Sequence, residues 1–356
     1  MNCRLLLSAG GTGGHIFPAI ALANELKTRH GYSVLFTAGK LSKNPYFPHE
    51  EFAFKDVSCS SNLLTGIGLN CKGVYESIQI INKYKPEAVI GFGSYYTLPT
   101  LVAAMILRVP VLLHEANSIP GRVNRLFSPF AKKTWISFSE AKNRLSGSVE
   151  LCKMPLREQF KKGLVTRLEA STYFNLDANT PTILIFGGSQ GAKRINELFS
   201  QTLISHLPDI QIIHFTGSTS DEEAFSRLYN ACGIRSYVKS FEPRIDLAWA
   251  AADLAITRAG ASSLAEQWEF GVPGILIPYP EATDNHQDFN ADDLVTAGLC
   301  YKLREKDLNF NLFLETVLRL IQNREAMKVQ FNENKKNDTQ LDLSQHIMDW
   351  IEIGRK

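Results

Sequence analysis

Two stretches of this chain share one plan. "RLLLSAGGTGGHIFPA", from Arg4, and "TILIFGGSQGAK", from Thr182, each run from a short apolar segment straight into a glycine-rich turn. An apolar run bounded by glycine and followed by a helical pattern marks a βα unit in a parallel sheet buried on both faces. Meeting the plan twice predicts two doubly wound α/β domains in tandem. The 356 residues agree, at about 150 per domain.

The spacing of apolar runs predicts strands at Arg4–Ala9, Ser33–Ala38, Ala88–Phe92, Pro110–His114, Thr134–Phe138 and Val149–Cys152 in the first half. The second half gives Thr182–Phe186, Gln211–Thr216, Tyr237–Phe241, Leu254–Thr257, Gly274–Pro278 and Leu299–Lys302. The polar stretch Met154–Thr182 separates them, with a boundary expected near Pro155. Asn332–Gln340 reads as a loop or a frayed helix end. Beyond it, Leu343, Ile347, Trp350 and Ile351 recur at helical spacing, an apolar face that must pack on something.

Composition excludes several classes. Hydrophobic residues make up 44% and charged residues 21%, enough for a normal core. A net charge of +2 is too small for nucleic acid to be the main partner. No apolar stretch reaches the ~18 residues of a membrane-spanning helix. The N-terminal apolar run is too short for a signal peptide and reads as the first core strand of a cytoplasmic protein. The six cysteines form no CxxC pair or zinc-type cluster and read as reduced thiols.

Three glycine turns follow predicted strands: Gly10–Gly14, Gly91–Gly93 and Gly187–Gly191. In such sheets ligands bind beyond the carboxyl ends of the strands. The dinucleotide pattern fails at Ile16 in the first turn and at Tyr96 in the second. The phosphate-loop pattern fails at Ala192-Lys193-Arg194. In the first turn, His15 stands at the head of a helix, where the dipole disfavours an imidazolium. It either packs or caps there, or acts as a neutral general base; the surrounding glycines favour the base. A second dense region, Ala251–Ala291, turns through Gly260 into a helix starting at Ser262 or Ser263. Glu266, in its first turns, either caps that helix or takes the two hydroxyls of a ribose.

At these residues the chain resembles the MurG family of glycosyltransferases. The resemblance rests on "GGTGGHIFPA", "GFGSY", "LLHEANSIPG", "GGSQGA", "TRAGASSLAE" and "ATDNHQDFNA", in that order over nearly the whole chain. It implies a GT-B architecture: two Rossmann-like, doubly wound parallel-sheet domains facing a central cleft. Residues 1–155 would form the acceptor and membrane-side domain, with a C-terminal helix of about 343–356 packing back on it. Residues 156–342 would bind UDP-GlcNAc.

The resemblance also implies site roles. Glu266 would hold the ribose, and Ser189 and Gln190 would contact the nucleotide diphosphate. Ala261, Ser262 and Ser263 would offer it helix N-terminal amides. His286 and Gln287 would contact the sugar hydroxyls, and Arg157 matches a donor-side arginine. Thr12, Gly13, Gly14 and Asn117 would face the donor or the reaction centre. Gly91, Gly93, Ser94 and Tyr95 would line the acceptor side. The chain departs from the family at Lys153-Met154-Pro155, at Ser94 and Leu98, at Phe241-Glu242, and in a short Ser60–Lys85 region. In that region Leu63, Leu64, Ile67 and Leu69, with Lys72, Lys83 and Lys85, either serve as a membrane-docking patch or are core leucines and solvated lysines.

The activity implied is an inverting hexosyl transfer with no metal and no cofactor. N-acetylglucosamine moves from UDP-GlcNAc to the C4 hydroxyl of undecaprenyl-pyrophosphoryl-MurNAc-pentapeptide (lipid I), giving lipid II for peptidoglycan. His15 would be the base. No Asp-x-Asp motif occurs. The implied place is the cytoplasmic face of the inner membrane, peripheral and against an anionic surface. The alternatives are a UDP-GlcNAc 2-epimerase of the same fold, a non-catalytic sugar-nucleotide or lipid-binding subunit, and a transferase acting on diacylglycerol.

Overall fold

The computed structural model describes residues 3–60, 66–161, 163–187, 193–199 and 201–355. Two compact units emerge: Met1–Glu158 with Thr339–Lys356, and Gln159–Asp338. The first unit ends at Glu158, three residues past Pro155.

The first unit holds β1 (Arg4–Ser8), β2 (Ser33–Ala38), β3 (Phe54–Asp56), β4 (Ala88–Gly91), β5 (Val111–Glu115), β6 (Lys133–Ile136) and β7 (Val149–Leu151). They form one sheet in the order β3-β2-β1-β4-β5-β6-β7, and every pairing is parallel. Side chains alternate across a strand. Leu5 and Leu7 accordingly join Ile16, Leu22, Leu26 and Phe36 in one core, while Leu6 joins Val89, Leu101, Leu113 and Phe127 on the other face. Both faces are apolar because helices cover both. The helix Leu343–Arg355 returns to this unit and buries Leu343, Ile347 and Ile351 in the same core as Leu5. The incoming chain is registered by a backbone bond from Lys153 N–H to the Leu341 carbonyl, 3.0 Å.

The second unit holds β8 (Thr182–Phe186), β9 (Gln211–Phe215), β10 (Ser236–Lys239), β11 (Leu254–Thr257), β12 (Gly274–Leu276) and β13 (Cys300–Lys302). Its order, β10-β9-β8-β11-β12-β13, is again parallel throughout and repeats the reversal of the first sheet. Ile183, Ile185 and Ile212 pack on Phe199, Phe313, Val317 and Leu320. On the opposite face Phe186 meets Trp249 edge-on, ring centroids 5.6 Å apart.

The expected strands are present, shifted by a residue or two where the chain leaves the sheet. The edge strand β3 has no counterpart in the sequence reading. "FKD" is short, half-exposed and carries no apolar alternation; β2 recruits it by backbone pairing from Phe36↔Phe54 to Ala38↔Asp56.

Each sheet buries one histidine. His114 lies in β5, where burial, with the His15 ring adding, pushes its imidazole down to about 3. His214 lies in β9 and is likewise pushed down to about 3 by burial. Its partners fix the tautomer. The Tyr229 hydroxyl donates to Nδ1 (2.9 Å), and Nε2–H donates to the Asn196 side-chain oxygen (3.1 Å). Asn196 then donates to the Thr216 carbonyl and to Asp221, both 3.0 Å. Between about pH 6.5 and the folded value the unfolded chain binds a proton that the folded chain refuses. Stability from these sites is therefore present above about pH 6.5 and lost as pH falls towards 3. Denaturant unfolding across that window should show a shallower pH slope for His214→Gln than for the native chain, by up to about one proton. An unchanged slope would contradict the buried neutral imidazole.

Candidate active site

Both sheets reverse strand order beside their first strand, between β1 and β4 and between β8 and β11. A reversal leaves an open crevice at the carboxyl ends of the strands, where doubly wound folds bind ligands.

In the first unit the turn after β1 leads into the helix Gly13–His30. Thr12, exposed, is its N-cap residue but gives no side-chain cap. His15 sits in the first turn, half-buried. Its Nδ1 lies 2.8 Å from the Phe92 carbonyl, an oxygen that only accepts, so Nδ1 carries the proton and the basic lone pair of a neutral ring is on Nε2. Phe92 belongs to the turn after β4, so this bond joins the two strand ends at the reversal. Gly93 follows at φ +80°, and a Cβ there would stand 3.2 Å from His15 Cε1. The backbone favours glycine there, and any larger side chain would press on the His15 ring.

The glycines of the two turns do different work. Gly91 is buried, and a Cβ would crowd Leu101 and Leu113 at 3.0 Å, so close packing alone accounts for a glycine there. At Gly13 a Cβ would stand 2.7 Å from the Phe17 ring. Gly14 is exposed, and a Cβ would meet nothing nearer than the Thr12 hydroxyl at 3.8 Å. Nothing among the described residues requires glycine there, although it weakens a helix. Ser94 holds φ +74°, ψ 144° without being glycine, a conformation costing about 1–3 kcal/mol and typical of ligand-clamping turns. Tyr95 Oη lies 3.5 Å from Arg122 Nη1, and the Arg157 guanidinium lies over the Phe17 ring at 4.8 Å.

Asn117 is placed by a residue the sequence reading passed over. Glu115, at the end of β5, is 2% exposed. It accepts from Asn117 N–H (3.0 Å), Gly121 N–H (2.9 Å) and Asn124 Nδ2 (2.9 Å). The turn from Asn117 to Gly121 thus wraps a carboxylate, and Asn124, donating also to the His114 carbonyl, locks it to β5. The one sequence signal was an acidic residue ending an apolar strand.

In the second unit Ser189 and Gln190 lie outside the described residues. The helix after β11 starts at Ala261, with Gly260 as its N-cap residue, so its first amides have no side-chain cap. The Ser262 hydroxyl is buried and unpartnered among the described residues. Glu266 lies beyond the first turn and does not cap; its Oε2 accepts from Trp249 Nε1–H at 3.0 Å. After β12, Asp284 and Asn285 take left-handed φ of +53° and +55°, which swings the chain into the helix His286–Asn290. His286 Nδ1–H donates to the Thr283 carbonyl (2.8 Å), and the Gln287 side-chain oxygen accepts from Tyr279 N–H (2.9 Å). Asn290 Nδ2 donates to the Ala259 carbonyl (3.2 Å), tying this loop to the end of β11.

Two ion pairs brace these loops. Arg304 grips Asp288 at 2.7 and 2.8 Å, and its hydrogen bonds hold that carboxyl below the usual range. Arg258, 7% exposed, pairs with Glu305 at 2.5 Å and donates to the Ile277 and Pro278 carbonyls. Glu242 is taken up inside the fold. It accepts from the Tyr173 and Tyr237 hydroxyls and from Arg244 N–H.

Known proteins are similar to this chain over most of its length. Residues 5–136 match the Glycosyltransferase family 28 N-terminal domain, and residues 182–347 match the Glycosyltransferase family 28 C-terminal domain. A UDP-N-acetylglucosamine--N-acetylmuramyl-(pentapeptide) pyrophosphoryl-undecaprenol N-acetylglucosamine transferase of Protochlamydia amoebophila is 46% identical, over 90% of this chain and 88% of its own. The protein of that name in Halothermothrix orenii is 32% identical, over 94% of each. The crystal structure of Acinetobacter baumannii MurG superposes with a TM-score of 0.77 at 26% identity, over 99% of both chains. A UDP-glucosyltransferase from Polygonum tinctorium shares the fold alone, with a TM-score of 0.70 at 13% identity. The chain has the GT-B class of fold and belongs to glycosyltransferase family 28, among its N-acetylglucosaminyltransferases of the MurG type.

Proposed function

We propose that this protein moves N-acetylglucosamine from UDP-GlcNAc to the C4 hydroxyl of N-acetylmuramic acid in undecaprenyl-pyrophosphoryl-MurNAc-pentapeptide. The acceptor O4 attacks the anomeric carbon in line, the bond from that carbon to the UDP oxygen breaks, and the α linkage becomes β. His15 takes the hydroxyl proton at Nε2. The observation that carries this reading is the bond from Nδ1–H to the Phe92 carbonyl, because it fixes Nε2 as the basic nitrogen of the neutral ring.

The second unit receives the leaving group. The uncapped amides at Ala261–Ser263, with the unpartnered Ser262 hydroxyl, supply donors for the diphosphate as negative charge builds. Ser189 and Gln190 are assigned to the same diphosphate. Glu266 takes the ribose hydroxyls; His286 and Gln287, each held by one backbone group, take the sugar. In the first unit Gly14 leaves the head of the helix bare for a bulky substrate. Thr12, Gly13, Gly93, Ser94, Tyr95 and Asn117 line the approach, and Arg157, stacked on Phe17, offers positive charge.

We further assign the protein a peripheral place on the cytoplasmic face of the plasma membrane. No helix among the described residues is long and apolar enough to cross a membrane. The helix Ile67–Tyr84 packs Gly73, Ser77 and Ile81 inward and exposes Ile67 (60%) and Leu69 (45%) near the exposed Lys72. Leu63 and Leu64 lie outside the described residues. Apolar side chains with cations beside them suit an anionic lipid surface.

Purified protein given labelled UDP-GlcNAc and a short-chain lipid I analogue should release one UDP per label transferred, into a β-linked disaccharide. Formation of the 2-epimer without acceptor would contradict the proposal. Gly14→Ala should leave stability unchanged or raise it by about 1 kcal/mol, yet lower turnover at least about tenfold; full turnover would show that the space is not used. A variant with Ile67→Glu and Leu69→Glu should sediment less with phosphatidylglycerol vesicles and still act on a soluble acceptor. Undiminished sedimentation would remove this helix from the docking surface.

A further inference from the structure

Trp249 lies in the helix Ile245–Ala251, is 1% exposed and stacks edge-on against Phe186. Its Nε1–H donates to Glu266 Oε2 at 3.0 Å. We infer that Trp249 is a positioning residue for nucleotide recognition: it holds the Glu266 carboxylate so that its oxygens meet the ribose hydroxyls, and so sets the preference for ribose over 2′-deoxyribose. The inference rests on the ribose role proposed for Glu266.

The chemistry of the pair supports it. A ribose has hydroxyls to donate, and a carboxylate can accept two at once only if its plane is fixed. A glutamate side chain has three rotatable bonds, and freezing them on binding costs affinity. An indole N–H is a donor that cannot accept, cannot ionise and, on a ring clamped by Phe186, cannot move. It anchors one oxygen before the nucleotide arrives. Housekeeping is a weaker explanation, because Trp135, also 1% exposed, has an indole N–H with no partner among the described residues. This chain tolerates a buried indole without one. Phe186 ends β8 and Trp249 packs against it, so the clamp starts from the strand at the sheet's reversal.

The test uses Trp249→Phe, which keeps a ring against Phe186 and removes the donor. Calorimetry with UDP and 2′-deoxy-UDP should show the native protein favouring UDP by about tenfold or more, and the variant by about threefold or less. The change should come from weaker UDP binding. KM for UDP-GlcNAc should rise while kcat stays within about threefold of the native value. A variant with the native preference would overturn the positioning role while leaving Glu266 as the ribose ligand. A native protein with no preference would overturn the ribose role itself, and the inference with it. If the variant does not fold, the native protein labelled with 15N-tryptophan gives the second reading. The Trp249 indole resonance, assigned through its loss or shift in Glu266→Gln, should move more on adding UDP than on adding 2′-deoxy-UDP. Equal movement with both would overturn the inference.

Discussion

The hydrogen bond from His15 Nδ1 to the Phe92 carbonyl ties the turn after β1 to the turn after β4, where the order of the first sheet reverses. Much around it depends on that bond. It needs Phe92 at the end of a buried strand, with the next residue turned away at positive φ, so Gly93 is glycine. It needs the helix to begin at Gly13, so the ring stands in the first turn rather than deeper in the helix. It leaves Nε2 as the basic nitrogen. His114, buried behind and neutral, adds no competing positive charge.

The second unit uses the same sheet plan for the opposite electrostatic task. In the function proposed, the first places a lone pair where a proton is to be taken, and the second offers uncapped helix amides where negative charge is to be received. Its charged side chains largely neutralise one another as scaffolding. Arg304 holds Asp288, and Arg258 holds Glu305 and two carbonyls, so the loops after β11 and β12 keep their shape. Ion pairs, whether buried like Arg258 with Glu305 or half-exposed like Arg304 with Asp288, are weak sources of stability. Their service here is geometric: Asp288 anchors the short helix that carries His286 and Gln287.

The fold was largely legible in the sequence because parallel strands buried on both faces are written as continuous apolar runs, such as Leu5–Leu7 and Ile183–Ile185. What escaped had no such signal. β3 is held by backbone pairing, by Phe54 against Phe47 and by Ser42 donating to Asp56, none of which shows in its spacing. The candidate site was legible where its residues sit in glycine turns, as the His15 and Gly93 that meet at the strand reversal do. It was not legible where a residue is held by, or holds, another through a hydrogen bond. Glu115 looks like an ordinary strand-end acid until three N–H groups converge on it, and Trp249 reads as core until its indole is seen against Glu266. Gly91 shows the reverse case, a glycine of a promising turn that serves the packing of Leu101 and Leu113. Periodicity reports burial, whereas hydrogen bonds between distant segments, such as Asn290 to Ala259, leave no trace in spacing.

The central claim is that His15 is the base. The most direct measurement is the transfer step in a single turnover with His15→Ala, alongside the affinity of the same variant for UDP. The account predicts a rate lowered by about 10²–10⁴ with UDP affinity unchanged. A folded variant that transfers sugar at close to the native rate would contradict it.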